Sequence, residues 1–113
     1  MGLVNLNPST VAVNIAEDIR NADVATAVSA TATASVALPA NPNRAAYSIY
    51  NAGSVTVFVR ENATVTATLY KHPIPPGYVL EGDFLTSRYT GPISVVTASG
   101  TSNLLVCEST LAS

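Results

Sequence analysis

The sequence predicts an all-β chain: a single β-sandwich of jelly-roll or Greek-key type, led by an extended N-terminal arm. Three observations carry this. Apolar and polar residues alternate with period two in nearly every stretch between turns. Turn signals built on Gly, Pro and Asn recur about every eight to twelve residues, which divides the chain into roughly seven to nine short strands. Ala, Thr, Val and Ser supply roughly half of the 113 residues, and charged residues only 11%, against about 25% in an ordinary domain.

The elements follow in order. Residues 1–38 read as an N-terminal arm with leading strands, and residues 39–113 as the compact sandwich body. Met1 to Ser9 is apolar and turn-rich, closing on Asn7-Pro8-Ser9. Val11, Val13 and Ile15 alternate with Ala12 and Asn14 as a short strand, which the polar run Glu17 to Asp23 ends. From Val24 to Leu38 the even positions are mostly apolar (Val24, Val28, Ala30, Val36, Leu38), while the odd ones beyond Ala27 are mostly hydroxyl-bearing. That pattern is a half-buried strand, since β-branched Thr and Val lose rotamer freedom in a helix. At ~3.3 Å per residue the stretch is too long for one strand of a small sandwich, so a bend or a break into two strands is expected.

Pro39-Ala40-Asn41-Pro42-Asn43 is a turn with two prolines that cannot donate to a ladder. Arg44–Asn51 and Ser54–Arg60 read as strands joined by a tight hairpin at Ala52-Gly53, and Glu61–Thr64 leads to a further strand, Val65–Tyr70. Lys71–Gly77 reads as a proline-rich crossover, with Pro76-Gly77 at the centre of a type II turn. Tyr78–Glu81 and Phe84–Thr86 are short strands around Gly82-Asp83, a candidate bulge. Ile93–Ala98 and Leu104–Glu108 close the chain as a hairpin through Ser99–Ser102.

Composition also excludes classes of function. The net charge is −2 and the five basic residues are scattered, so nucleic acid lacks its electrostatic footprint. No apolar run approaches the ~20 residues of a membrane span, and Met1–Asn5 has no secretory pattern, which implies synthesis without export by that route. One cysteine permits no intrachain disulfide. A surface so poor in charge has little protection against association and suits a subunit of an assembly.

Chemistry-bearing residues are few. His72, alone between Lys71 and Pro73, reads as a surface residue without metal-ligand company. Cys107 falls on the opposite strand face from Leu104 and Val106 and reads as a small buried hydrophobe. Glu81 and Asp83 lie two apart, but nothing in the sequence separates their acidities as acid–base catalysis requires. Glu17, Asp18 and Asp23 lack the Gly-punctuated ladder of a calcium loop. Asn62-Ala63-Thr64 matches a glycosylation pattern that has no meaning in an unexported chain. Phe58 and Tyr70 are placed to share a face as ordinary cross-strand packing. The sequence therefore predicts no catalytic residue, no metal and no cofactor.

From Asn43 onward the chain resembles small β-sandwich structural proteins of tailed bacteriophages. The resemblance rests on Asn43-Arg44 before a strand ending in Asn51, the Pro76-Gly77 turn, the aromatic-x-Gly element Tyr89-Thr90-Gly91, Ile93, and a final strand ending in Glu108. It implies a virion component assembled in the host cytoplasm: a capsid decoration (cement) protein, or alternatively a tail, head-fibre or adaptor subunit. A carbohydrate-binding module for the host surface would share the fold, but its loops would carry clustered aromatics or acids. The implied partners are the major capsid protein or other virion subunits. Few edge lysines favour a homo-oligomer, and the resemblance makes it a trimer. Candidate assembly contacts are Leu3, Val4 and Leu6 in the arm, with Val24, Val28 and Val36 on the leading strands. Extended segments of this kind bind by adding a strand to a neighbour's sheet.

Overall fold

The computed structural model describes residues 19–83 and 88–112. Eight strands form: β1 (Val24–Ala30), β2 (Ser35–Leu38), β3 (Arg44–Asn51), β4 (Val57–Arg60), β5 (His72–Ile74), β6 (Val79–Asp83), β7 (Ile93–Thr97) and β8 (Ser102–Thr110). They make two antiparallel four-stranded sheets, ordered β1-β8-β3-β6 and β2-β7-β4-β5. In this order β1 lies beside β8, β2 beside β7, β3 beside β6 and β4 beside β5. That is one long antiparallel ribbon folded at β4–β5 and rolled until β8 meets β3 and β7 meets β4, the jelly roll.

The predicted long strand 24–38 does break in two. Thr31 Oγ1 accepts from the Thr33 amide at 3.2 Å and donates to the Thr33 carbonyl at 3.1 Å, a local turn that competes with the ladder. The chain passes there from the outer strand of one sheet to the outer strand of the other. In β2 a register shift between Val36 and Leu38 breaks the alternation, so Ala37 and Leu38 are both buried while Val36 is exposed.

The core is aliphatic. Ile49 from β3, Val57 and Val59 from β4, Ile74, Ile93, Val95, Leu104 and Val106 are all buried between the sheets. Strand β4 and the first half of β8, Ser102 to Val106, alternate as the period-two pattern requires. Strand β7 is buried along its whole length. Ser94, on its outward side, donates to the Asn62 carbonyl at 2.8 Å, and the 62–64 turn is itself held by Asn62 Oδ1 accepting from the Thr64 amide. The glycosylation-like triplet is thus an Asx turn seated near β7.

Several elements differ from expectation. The turns at Ala52-Gly53 and Ser99–Ser102 are not hairpins, because β3 and β4 lie in different sheets, as do β7 and β8. Local sequence marks a turn but not the sheet its exit strand joins. Val65–Tyr70 is not a strand. Thr66 Oγ1 accepts from the Leu69 amide at 2.8 Å and the Thr66 amide bonds the Leu69 carbonyl, closing a turn that leaves Leu69 exposed. The proline-rich crossover instead contains β5, an edge strand where Pro73, opposite Phe58, needs no donor on its solvent side. The type II turn is as predicted: Gly77 has φ 82° and the Tyr78 amide bonds the Pro75 carbonyl at 3.1 Å. Gly82 makes no bulge, since β6 pairs with β3 in unbroken register through Asp83, and a Cβ at Gly82 would run into the Tyr47 ring. The strands expected at Val11–Ile15 and Phe84–Thr86 lie outside the described residues, as does most of the arm.

Candidate functional site

Strand β3 begins and ends on buried polar residues, and each gathers distant segments. A register shift between Arg44 and Ala46 turns Arg44 to the same side as Tyr47, three residues on, which an unbroken strand would not do. The Arg44 side chain is wholly buried. Its Nε donates to Glu108 Oε2 at 2.6 Å, Nη1 to the carbonyls of Tyr89 and Gly91 at 3.2 and 2.8 Å, and Nη2 to the Pro39 carbonyl at 2.7 Å. Asn41 Nδ2 reaches the other Glu108 oxygen at 3.3 Å. A buried guanidinium stays charged, so the carboxylate and three carbonyls are what make its burial tolerable.

The aromatic-x-Gly element completes this end. Tyr89 folds back so that its hydroxyl donates to the Pro92 carbonyl at 2.6 Å. A Cβ on Gly91 would lie 2.5 Å from that hydroxyl oxygen, so only glycine fits.

At the other end Asn51 is fully buried. Its Nδ2 donates to the carbonyls of Val55 and Ile74 at 2.7 and 2.8 Å, and its Oδ1 accepts from Ser102 Oγ at 2.6 Å and the Gly53 amide at 3.0 Å. Its own backbone bonds Tyr78 and Gly77. One amide therefore ties the β3–β4, β5–β6 and β7–β8 crossings. Between the two hubs, the Tyr47 hydroxyl donates to Glu61 Oε2 at 3.0 Å, and Lys71 Nζ pairs with Glu61 Oε1 at 2.8 Å. Burial first, then the charge of Glu61, holds the Tyr47 phenol well above its usual range.

The outer face of the β1-β8-β3-β6 sheet is open. Register places Ala27, Leu105, Tyr50 and Val79 side by side across all four strands, and all four are exposed. The next outer row is Ala25, Cys107, Ser48 and Glu81. Arg20, Asn21, Asp23, Ser48, Glu81 and Cys107 line an open groove of about 450 Å³ there. Cys107 faces outward as its strand parity predicts, but it is half-buried in this groove, not in the core, because Leu104 and Val106 take the inner side. Desolvation, then hydrogen bonding to Asp23, raises the thiol above its usual range and keeps it protonated.

The remaining candidates stand apart. His72 is exposed on edge strand β5. No group of three or more His, Cys, Asp and Glu converges as a metal site among the described residues. Phe58 and Tyr70 do share a face, with ring centroids 4.6 Å apart, although Tyr70 belongs to a loop. Of the proposed assembly contacts, Leu3, Val4 and Leu6 lie outside the described residues. Val24 is exposed at the far end of β1, Val28 packs partly on the core, and Val36 is exposed on β2. The hubs at Arg44 and Asn51 were legible only as positions in a turn pattern; their burial was not.

No protein-family model matches the chain, and no curated protein sequence does. A chain of the solved structure titled "Bacillus endospore appendages form a novel family of disulfide-linked pili" aligns over 84% of this chain and 88% of its own, with 16% identity and a TM-score of 0.47. A similarity of that size carries no argument about this protein.

Proposed function

We propose that the chain is a non-enzymatic structural subunit of a bacteriophage virion, a decoration or cement protein that binds the head shell and stabilises it. The observation that supports this reading most is a convergence. Arg44, Tyr89, Gly91 and Glu108, the spaced residues of the phage-like pattern, meet in one buried network, while Asn51 and the Pro76-Gly77 turn meet at the other end of β3. Their polar groups are engaged in holding crossovers and are withheld from solvent. The eight-stranded jelly roll is shared by viral capsid proteins and by lectins and cupins, so the fold alone decides nothing among them.

In this reading the partners are the major capsid protein or other virion subunits, and neither nucleic acid nor membrane is engaged. The protein works in the virion after assembly in the host cytoplasm. The test is co-sedimentation of the purified protein with head shells that lack it. Saturation at a fixed number of copies per shell, with a higher shell melting temperature, is expected. Binding to isolated tails and not to heads would move the role to a tail or adaptor, and binding to neither would overturn the reading.

A further inference from the structure

A jelly roll leaves four sheet edges, each a row of main-chain donors and acceptors able to pair with another strand. Three are blunted here. Strand β2 has four residues and an irregular register. Strand β5 has three, one of them Pro73, with exposed Lys71 and His72 beside it. Strand β6 carries the exposed carboxylate of Glu81 at its centre.

Strand β1 has none of these devices. It runs seven residues with no charge and no proline, and no charge or proline follows until Pro39. Among the described strands only β8 pairs with it. Its residues from Val24 to Ala27 are exposed, including Val24 at 67%.

We infer that β1 pairs with β1 of a second copy of this chain, antiparallel about a two-fold axis at Ala27. The partner edge must be equally unblunted, and among the described edges that leaves another β1. About Ala27, Ala25 faces Ser29 and Thr26 faces Val28, so small side chains meet and each pair shares a face; the pairing stops short of Ala30, which is already fully buried in its own chain. The nearest charge, Asp23, falls opposite Thr31, so no like charges meet. The exposed row Val79–Tyr50–Leu105–Ala27 then continues without a gap into the same row of the partner, across an eight-stranded sheet. A ladder over Ala25–Ser29 adds roughly four to six main-chain hydrogen bonds. The interface is isologous and therefore two-fold, distinct from the trimer that the phage resemblance implies, and it does not rest on the virion role.

The experiment is sedimentation velocity of the full chain and of Ala27→Lys, with thermal melts of both. Ala27 is exposed on the outer face, so a lysine there is compatible with the fold, yet the pairing would set it against its own copy. A wild-type dimer is expected, with dissociation at least tenfold stronger in Ala27→Lys at an unchanged melting temperature of the dissociated chain. Oxidation of Ala27→Cys in a Cys107→Ser background adds a second reading: an intermolecular disulfide is expected at position 27 and none for His72→Cys in the same background. A wild-type monomer or trimer, or a dimer indifferent to Ala27→Lys that fails to cross-link at 27, would overturn the inference.

Discussion

Arg44 and Glu108 lie 64 residues apart in sequence and pair at 2.6 Å, the arginine wholly buried and the carboxylate about one-fifth exposed. The pair joins the start of β3 to the far end of β8, and through the carbonyls of Tyr89 and Gly91 it also holds the crossing into β7. Removing one member of a buried pair leaves the other uncompensated, at a cost of about 3–5 kcal/mol. Arg44→Ala and Glu108→Ala should each lose stability on that scale in urea denaturation. The double variant Arg44→Met/Glu108→Leu should recover part of it, because no buried charge then remains.

Asn51 should behave as a second staple. Asn51→Ala leaves two carbonyls, the Ser102 hydroxyl and the Gly53 amide without their partner. Each orphaned buried group costs about 1–3 kcal/mol, so a total loss of at least about 3 kcal/mol is expected. Chemical denaturation reads it directly. Asn51→Asp should not rescue, since a carboxylate cannot donate to the Val55 and Ile74 carbonyls.

The Tyr47 phenol gives a pH signature. Its pKa in the folded chain is raised above the ordinary 10.0, by burial and then by Glu61, so the native state keeps a proton the unfolded chain has lost. Its contribution is fully present below pH 10 and is lost as pH rises through the native value. The denaturation midpoint should fall above about pH 10, and fall less steeply in Tyr47→Phe. The Tyr89 phenol, raised chiefly by burial, gives both proteins a residual slope of the same sign. At pH 7 the loss of the hydrogen bond to Glu61 should cost Tyr47→Phe about 1.5–3 kcal/mol.

Gly91→Ala tests the folded-back tyrosine. The new methyl would press on the Tyr89 hydroxyl at 2.5 Å and force the ring off the Pro92 carbonyl. Overpacking of this kind costs about 1–3 kcal/mol. Gly91→Ala combined with Tyr89→Leu should be less destabilised than the sum of the two single variants, because the clash and the hydrogen bond vanish together.

Much of the fold was legible because the chain alternates cleanly where one face is buried. Arg44–Asn51 matches β3 residue for residue, and the broken 24–38 stretch matches β1 and β2. Sheet membership was not legible at Ala52-Gly53 or Ser99–Ser102, because a turn sequence reports a change of direction and not the ladder that receives the next strand. Val65–Tyr70 failed because Thr66 offers its own hydroxyl to the backbone. The Arg44 hub is invisible to periodicity because a bulge shifts its parity, and charge alone would place the residue outside. Cys107 was misread in depth, not in direction: being off the core face of β8 means facing a groove where, among the described residues, no second sheet packs on that side.

The proposed role as a structural subunit of a virion head is tested most directly by imaging. On the proposed reading a phage encodes the chain, and cryo-electron microscopy of its purified particles should show a jelly-roll density bound to the head shell at symmetry-related positions, absent from particles made without the gene. Intact heads with no such density, identical with and without the gene, would contradict the account.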